Sequence, residues 1–159
     1  MRLETKSVNC QIRKMETADI PEVAALEKEA FSMPWSEKGF ADALSQPDNI
    51  FLVAETAEGR IAAYCGLYVA ADEGEITNVA VSEQLRGQGI GFSLVSEICR
   101  EAAVSGVANI FLEVRKTNEA ARRLYEKAGF SECGIRKNFY EKPQEDAIVM
   151  CCELRGIKS

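Results

Sequence analysis

The sequence predicts an α/β (α+β) fold in which helices cover both faces of a mixed central sheet. The length of 159 residues suits one domain, residues 1–159. Apolar residues make up 47% of the chain and charged residues 28%, which is typical of an ordinary globular protein. Strand-like and helical segments follow one another in the order β-α-α-β-β-β-α-β-α-β-β, without the strict alternation of a doubly wound parallel sheet.

The first half of the chain contains a predicted strand, two helices and three further strands. Residues 17–31 have the spacing of an amphipathic helix. A second helix is predicted to start at Ser36, where Trp35 and Phe40 have the spacing of a hydrophobic staple. The predicted strands are residues 10–15, 49–56, 60–70 and 75–81, and the second and third of these form a hairpin.

The second half of the chain contains two predicted helices and three predicted strands. One helix runs through residues 92–104 and ends at Gly106. The other covers residues 117–130, with Asn118 as its N-cap and Gly129 as its end. The predicted strands are residues 109–114, 133–140 and 146–154.

Composition excludes several function classes. Lys plus Arg total 19 and Asp plus Glu total 25, and this net charge of −6 argues against direct nucleic-acid binding. No run approaches the ~20 apolar residues of a membrane span, and the N-terminus lacks the apolar centre of a signal peptide. We therefore expect a cytoplasmic protein with no membrane partner.

Histidine is absent, and the cysteines form no metal motif. The absence of histidine removes Ser-His and Cys-His nucleophilic schemes and the commonest zinc ligand, so we expect no metal cofactor. The six cysteines include no C-x-x-C pair and are expected to be reduced and partly buried. Any proton transfer must therefore use Glu, Asp, Tyr, Lys, Cys or water.

The stretch "LRGQGIG", residues 85–91, is the strongest local motif. It joins an apolar strand to a long helix, and glycines there allow backbone N–H groups to surround a phosphate. A Walker loop would need a lysine that this stretch lacks. A dinucleotide fingerprint would need the spacing G-x-G-x-x-G early in a βαβ unit, whereas the spacing here is G-x-G-x-G after four strands.

The Arg-x-x-Gly-x-Gly pattern of Arg86, Gly89 and Gly91 resembles the acetyl-coenzyme A loop of the GCN5-related N-acetyltransferase (GNAT) superfamily. The resemblance implies a mostly antiparallel sheet of about seven strands and acetyl-CoA as co-substrate. It also implies that residues 79–81 pair with the pantetheine arm, which Asn118 contacts, and that the loop amides hold the pyrophosphate. The implied cofactor-binding residues are Val79, Ala80, Val81, Gly87, Gln88, Gly89, Ile90, Gly91, Phe92 and Asn118.

Longer stretches, from about residue 12 to residue 154, are similar to the ribosomal-protein-alanine N-acetyltransferase branch of this superfamily. They are "AFSMPWSEKGF", "ITNVAVSEQLRGQGIG", "LEVRKTNEAARRLYEKAGF" and "IRKNFYEKPQEDAIVM". The resemblance implies that the acceptor is the N-terminal alanine of a small-subunit ribosomal protein. It also implies that Trp35 and Tyr140 border the acceptor cleft.

Two residues are candidates for proton transfer. Glu113 lies in a predicted central strand, where a carboxylate is costly unless it is paired or used. Two interpretations stay open: an ion pair with Arg115 on the same strand face, or a general base for the acceptor amine, as the resemblance implies. Tyr125 belongs to the inner stripe of its helix and either packs there or, as the resemblance implies, protonates the leaving thiolate.

Three other functions remain possible on this sequence. The same fold could acetylate a lysine, a polyamine or an aminoglycoside. It could also serve as a non-catalytic acyl-CoA sensor, although the presence of both Glu113 and Tyr125 argues against that. A dinucleotide-binding protein is the weakest alternative, because the glycine spacing does not match.

Overall fold

One seven-stranded sheet forms the centre of the molecule, which is described for residues 10–154 by a computed structural model. The strand order is β1-β2-β3-β4-β5-β7-β6, and every neighbouring pair is antiparallel except the parallel pair β4 and β5. This confirms the predicted mixed, mostly antiparallel sheet. The strands are β1 (Cys10–Lys14), β2 (Ile50–Thr56), β3 (Ile61–Ala70), β4 (Glu73–Val81), β5 (Asn109–Arg115), β6 (Ser131–Tyr140) and β7 (Glu145–Glu153).

Four α-helices lie between the strands, two before β2 and one on each side of β5. They are α1 (Ile20–Ala30), α2 (Glu37–Leu44), α3 (Ile90–Val104) and α4 (Glu119–Lys127). Two helix starts differ from the prediction. Residues Thr17–Asp19 form a 3₁₀ turn before α1. Helix α3 starts at Ile90 rather than residue 92, because Gly89 adopts a left-handed φ of 84° that only glycine tolerates easily and serves as its N-cap.

The helices bury the two faces of the sheet in separate apolar clusters. Helices α3 and α4 pack on one face, with Leu94 and Ile98 fully buried. Helices α1 and α2 pack on the other face, around Phe40 and Tyr64. Neighbouring residues of β2 alternate between the clusters, because side chains along a strand point to opposite faces. Helices therefore cover both faces, as predicted.

The start of α2 confirms the predicted cap and staple. The Ser36 hydroxyl oxygen accepts a hydrogen bond from the Gly39 N–H at 3.1 Å. The rings of Trp35 and Phe40 meet with centroids 5.4 Å apart. These contacts fix the entry of the chain into α2.

Strands β4 and β5 separate soon after they meet. Their pairing runs only from Glu73 opposite Asn109 to Glu75 opposite Phe111. A register shift between β3 and β4 places a bulge at Thr77, just beyond the last of these pairs. The bulge turns Asn78 and Ala80 toward the α1–α2 face, whereas Ile76 packs in the cluster on the other face.

Two cysteines correct the expectation that all six are reduced. Cys133 and Cys151 form a disulfide between β6 and β7, with their Cα atoms 6.2 Å apart. Cys133 lies at a register shift between these strands, which brings it close to Cys151 on the neighbouring strand. Cys10, Cys65, Cys99 and Cys152 are free and buried, as expected. Within residues 10–154, no helix is long and apolar enough to cross a membrane.

Candidate active site

The separation of β4 and β5 opens a cavity of about 640 Å³. Its walls come from α1 and residues 31–35, from β4, from β5, from α4, and from residues 139–143 at the end of β6 and in the turn to β7. Six of the residues predicted for the site line it, namely Trp35, Val79, Glu113, Asn118, Tyr125 and Tyr140. The fold therefore brings together residues that are up to 105 positions apart, from Trp35 to Tyr140.

Glu113 lies on the β5 wall and is paired with Arg136 rather than with Arg115, the partner in one of the two open interpretations. Its side chain is 10% exposed, and Arg136 Nη1 donates a hydrogen bond to Glu113 Oε2 at 2.8 Å. Arg115 instead bonds Glu145 at 3.3 Å and lies 4.4 Å from the centre of the Tyr140 ring. The interpretation of Glu113 as an ion-pair partner of Arg115 is therefore wrong, because Glu145 and the nearby loop carbonyls take the Arg115 guanidinium.

A second carboxylate lies close to Glu113. Burial and the neighbouring Glu113 carboxylate raise the pKa of Glu75, and a hydrogen bond between the two side chains contributes. Glu75 is the last β4 residue that pairs with β5. The closed end of the gap between these strands is therefore acidic.

Helix α4 contributes Tyr125 and Asn118 to the same cavity. Tyr125 is buried, and its ring packs edge-on against Phe130 with centroids 5.9 Å apart. A tyrosine phenol is protonated at neutral pH, and burial raises the pKa of Tyr125 further, so the phenol carries the proton that a donor needs. Asn118 caps α4 as predicted, because its side-chain oxygen accepts a hydrogen bond from the Ala121 N–H at 3.2 Å.

The glycine loop lies at the far end of β4, outside the cavity lining. Gly87 and Gly89 have φ values of 78° and 84°, and nothing lies within 4 Å of the position that a Cβ would take at either residue. A Cβ at Gly91 would stand 2.9 Å from Leu124 Cδ1, so glycine allows α3 to approach α4. The loop residues Gln88 and Ile90 lie between these glycines, and Ile90 begins the helix with its side chain buried. A loop of this kind at a helix N-terminus can bind an anion through its backbone amides.

Residues 79–81 divide their side chains between the two faces of the sheet. Val79 and Val81 pack against the α3–α4 cluster, whereas Ala80 is buried in the α1–α2 cluster. Arg86, which precedes the glycines, donates a hydrogen bond from Nε to the Val81 carbonyl at 3.1 Å. The arginine of the motif therefore ties the loop to the end of β4.

Sequence reasoning missed two features of this site. The Lys127 ammonium lies 4.7 Å from the centre of the Phe92 ring, which brings a positive charge from α4 to the first turn of α3. Glu27 of α1 lines the cavity with a carboxylate that is only 2% exposed. The sequence could have indicated the burial of Glu27. This residue stands four residues after Val23 and three before Ala30, on the apolar stripe of the helix.

Aromatic and apolar side chains surround the cavity mouth. Phe31, Met33 and Phe139 line the cavity and are among the most exposed large apolar residues of the described chain. Trp35 packs edge-on against Tyr68, with ring centroids 5.8 Å apart. Burial, followed by the charge of Glu113, raises the pKa of Tyr140 to about 12. The cavity lining therefore combines exposed apolar surface with exposed charged side chains such as Glu141 and Lys142.

The cavity can support acyl transfer to an amine. It combines a carboxylate that could accept a proton, a buried phenol that could donate one, and a β4 edge that β5 does not cover beyond Glu75. Between residues 10 and 154, no group of three or more metal-ligating side chains is arranged to hold a metal ion.

Comparison with known proteins defines the class to which this fold and cavity belong. The sequence profile of the Acetyltransferase (GNAT) family matches residues 20–130, and the chain therefore belongs to that family. The chain is 39% identical over 141 residues to ribosomal protein bS18-alanine N-acetyltransferase of Escherichia coli strain K12, covering 87% of this chain and 94% of that protein. The predicted family and its ribosomal-protein-alanine branch are thereby confirmed.

Solved structures agree with the sequence comparison. The crystal structure of the ribosomal-protein-alanine N-acetyltransferase from Escherichia coli superposes with a TM-score of 0.82 at 37% identity, covering 90% of this chain and 92% of that chain. A GNAT phosphinothricin acetyltransferase from Sinorhizobium meliloti, solved in complex with AcCoA, has a TM-score of 0.80 at 19% identity. It covers 91% of this chain and 88% of its own, and this likeness concerns the fold alone.

Proposed function

We propose that this protein transfers an acetyl group from acetyl-CoA to the N-terminal α-amine of an alanine that begins ribosomal protein bS18, a small-subunit protein. The observation that carries the proposal is that Glu113 and Tyr125 line one cavity beside the uncovered edge of β4. The identity of 39% to the Escherichia coli enzyme supports the choice of acceptor. The reaction would take place in the cytoplasm, on the N-terminal segment of the acceptor and without direct contact to nucleic acid.

The residues present fit acetyl-CoA. The open space at Gly87 and Gly89 lets an anion approach the backbone, and we assign the pyrophosphate to the amides of residues 87–92. The Lys127 ammonium would supply the positive charge that Phe92 itself lacks. The uncovered edge of β4 at Val79, Ala80 and Val81 would pair with the pantetheine arm, which Asn118 would contact from α4.

The chain supplies the two proton transfers. Acetyl-CoA, when bound, provides an acetyl group on a thioester. Glu113 would accept the proton of the acceptor amine while the amine nitrogen forms its bond to the acetyl carbonyl carbon. Tyr125 would donate its phenolic proton to the sulfur as the carbon–sulfur bond breaks. That proton is present at neutral pH on any ordinary phenol, and burial raises the pKa of Tyr125 further.

The chemistry favours an α-amine over a lysine side chain. A chain-terminal α-amine with a pKa of about 7.7–8.0 is roughly one-tenth uncharged at pH 7, whereas a lysine amine with a pKa near 10.4 is about 0.04% uncharged. A carboxylate base is better matched to the former. Trp35 and Tyr140 would border the first residues of the acceptor.

Competition between amines tests this proposal. The purified protein and acetyl-CoA are incubated separately with four amine substrates. The first is a peptide of the acceptor that begins with alanine, and the second is the same peptide with a blocked N-terminus and an added internal lysine. The third is spermidine and the fourth is an aminoglycoside. We expect mass spectrometry to detect acetylation at the α-amine of the first peptide, with kcat/KM at least about 100-fold above the other amines. Preferred acetylation of a small amine or of the lysine would overturn the proposed acceptor.

A further inference from the structure

A buried carboxylate on the α1 side of the cavity has no part in the proposed chemistry. Glu27 is 2% exposed and accepts hydrogen bonds from three neutral donors. The main-chain N–H of Trp35 donates to Glu27 Oε2 at 3.0 Å, and Asn78 Nδ2 donates to Glu27 Oε1 at 3.3 Å. The Tyr64 hydroxyl also donates to Oε1.

These three donors come from three separate parts of the fold. Trp35 ends the segment of residues 31–35 between α1 and α2, of which residues 31, 32, 33 and 35 line the cavity. Asn78 lies on β4, directly after the bulge at Thr77 and directly before the edge assigned to the pantetheine arm. Tyr64 lies on β3 and holds Glu27 from within the core. One carboxylate therefore connects the segment 31–35 to β4.

The two oxygens of the Glu27 side chain allow it to hold all three donors. A carboxylate only accepts hydrogen bonds, and its two oxygens offer about four acceptor positions. A glutamine amide of nearly the same shape would replace one oxygen with an NH₂ group that faces another donor. The contact at Trp35 or the contact at Asn78 would then be lost, because these N–H groups only donate, and a buried donor would be left unpaired.

We propose that Glu27 is a positioning residue that holds residues 31–35 against β4 and thereby sets the affinity of the enzyme for its acceptor. This rests on the proposed function to the extent that the acceptor is a peptide N-terminus entering between residues 31–35 and 139–143. Glu27 acts through the Trp35 main chain and the Asn78 side chain and exchanges no proton with the substrates. Its loss should therefore change acceptor binding and leave the chemical step intact.

Steady-state kinetics of Glu27→Gln test this role, with Glu22→Gln as matched control. Glu22 is a carboxylate on the same helix that accepts a hydrogen bond from the Ile61 N–H at 2.8 Å but does not line the cavity. For Glu27→Gln we expect a peptide KM raised about tenfold, with kcat and the acetyl-CoA KM within about twofold of wild type. For Glu22→Gln all three constants should stay within about twofold of wild type.

A second variant keeps the test decisive if Glu27→Gln does not fold. Tyr64→Phe keeps the ring that packs against Phe40 and removes only one donor to Glu27. We expect its peptide KM to rise about threefold with an unchanged kcat. A folded variant with a wild-type peptide KM, or one whose acetyl-CoA KM rises equally, would overturn the positioning role.

The wild-type acceptor competition separates this inference from the proposed function. If the wild type prefers another amine, the proposed acceptor fails, and the Glu27 variants are then measured with the amine that the enzyme does use. A raised KM for that amine alone would still support the positioning role of Glu27. An unchanged KM for it would reject the role independently.

Discussion

Glu27 and Glu113 line the same cavity from different walls and differ in their surroundings. Glu113 is paired with one cation, Arg136, whose side chain is 56% exposed. Glu27 is almost fully buried among three neutral donors from other parts of the fold. The difference separates two uses of a carboxylate. In the proposed roles, Glu27 anchors its three fixed neutral donors, and Glu113 accepts a proton once the exposed Arg136 side chain moves away.

The largest expected effect is on the β5 side. Replacing Glu113 with Gln should lower kcat about 10²–10⁴-fold, because an amide cannot accept the amine proton. Calorimetry should show unchanged acetyl-CoA affinity. Glu132→Gln serves as the control, because Glu132 is also a strand carboxylate paired with an arginine but lies outside the cavity. A kcat for Glu113→Gln within tenfold of wild type would contradict the role of Glu113 as general base, and with it the functional difference between Glu113 and Glu27.

Tyr125 tests the proton donor of the same cavity. We expect Tyr125→Phe to lower kcat about 10²-fold, since the leaving thiolate loses its proton source. Burial raises the pKa of Tyr125, so its phenol stays protonated at pH values where an ordinary tyrosine would ionise. Wild-type kcat should therefore not fall through loss of this proton between pH 8 and about pH 10. A decline in that range that disappears in Tyr125→Phe would contradict the raised pKa, whereas a kcat of Tyr125→Phe close to wild type would contradict the proton-donor role.

A substitution at Gly91 tests the binding of acetyl-CoA, whose pyrophosphate we assign to main-chain amides and not to carboxylates. A Cβ at Gly91 would stand 2.9 Å from Leu124 Cδ1 and 3.5 Å from Val81 Cγ2. Leu124 must shift, so we expect Gly91→Ala to raise the acetyl-CoA KM about three- to tenfold. Gly39→Ala in α2 is the matched control, because its Cβ would have only ordinary contacts of 3.6 Å or more. Equal acetyl-CoA KM values for the two variants would show that the packing at Gly91 does not set the affinity for acetyl-CoA.

The smallest effect is expected at Ser36, which caps α2 next to the segment held by Glu27. Ser36→Ala removes the hydrogen bond to the Gly39 N–H and should lower the free energy of unfolding in urea by about 1 kcal/mol. The peptide KM should not change, since the Glu27–Trp35 contact still holds the segment. A raised peptide KM would show that the cap of α2, and not only Glu27, positions residues 31–35.

Local patterns predicted the elements well. All seven strands and four helices were predicted from the spacing of apolar residues, from helix caps and from glycines at helix ends. These signals could be used because each depends only on residues that are close together in the sequence. The motif around Gly89 and the carboxylate Glu113 could be singled out for the same reason, since each breaks a local rule for regular or buried structure. Ion-pair partners could not be predicted this way. Arg136 reaches Glu113 from β6, two strands away in the sheet, and no sequence spacing encodes that distance.

The sequence by itself determined the class of fold, the glycine loop at the start of α3 and the identity of the two candidate proton-transfer residues. Only the tertiary structure decided which groups surround them: the early separation of β4 from β5, the bulge at Thr77, and the burial of Glu27 against Tyr64 and Asn78. The physical reason is that secondary structure follows from short-range sterics and hydrogen bonds. Burial and charge pairing depend instead on contacts between residues that are distant in the chain.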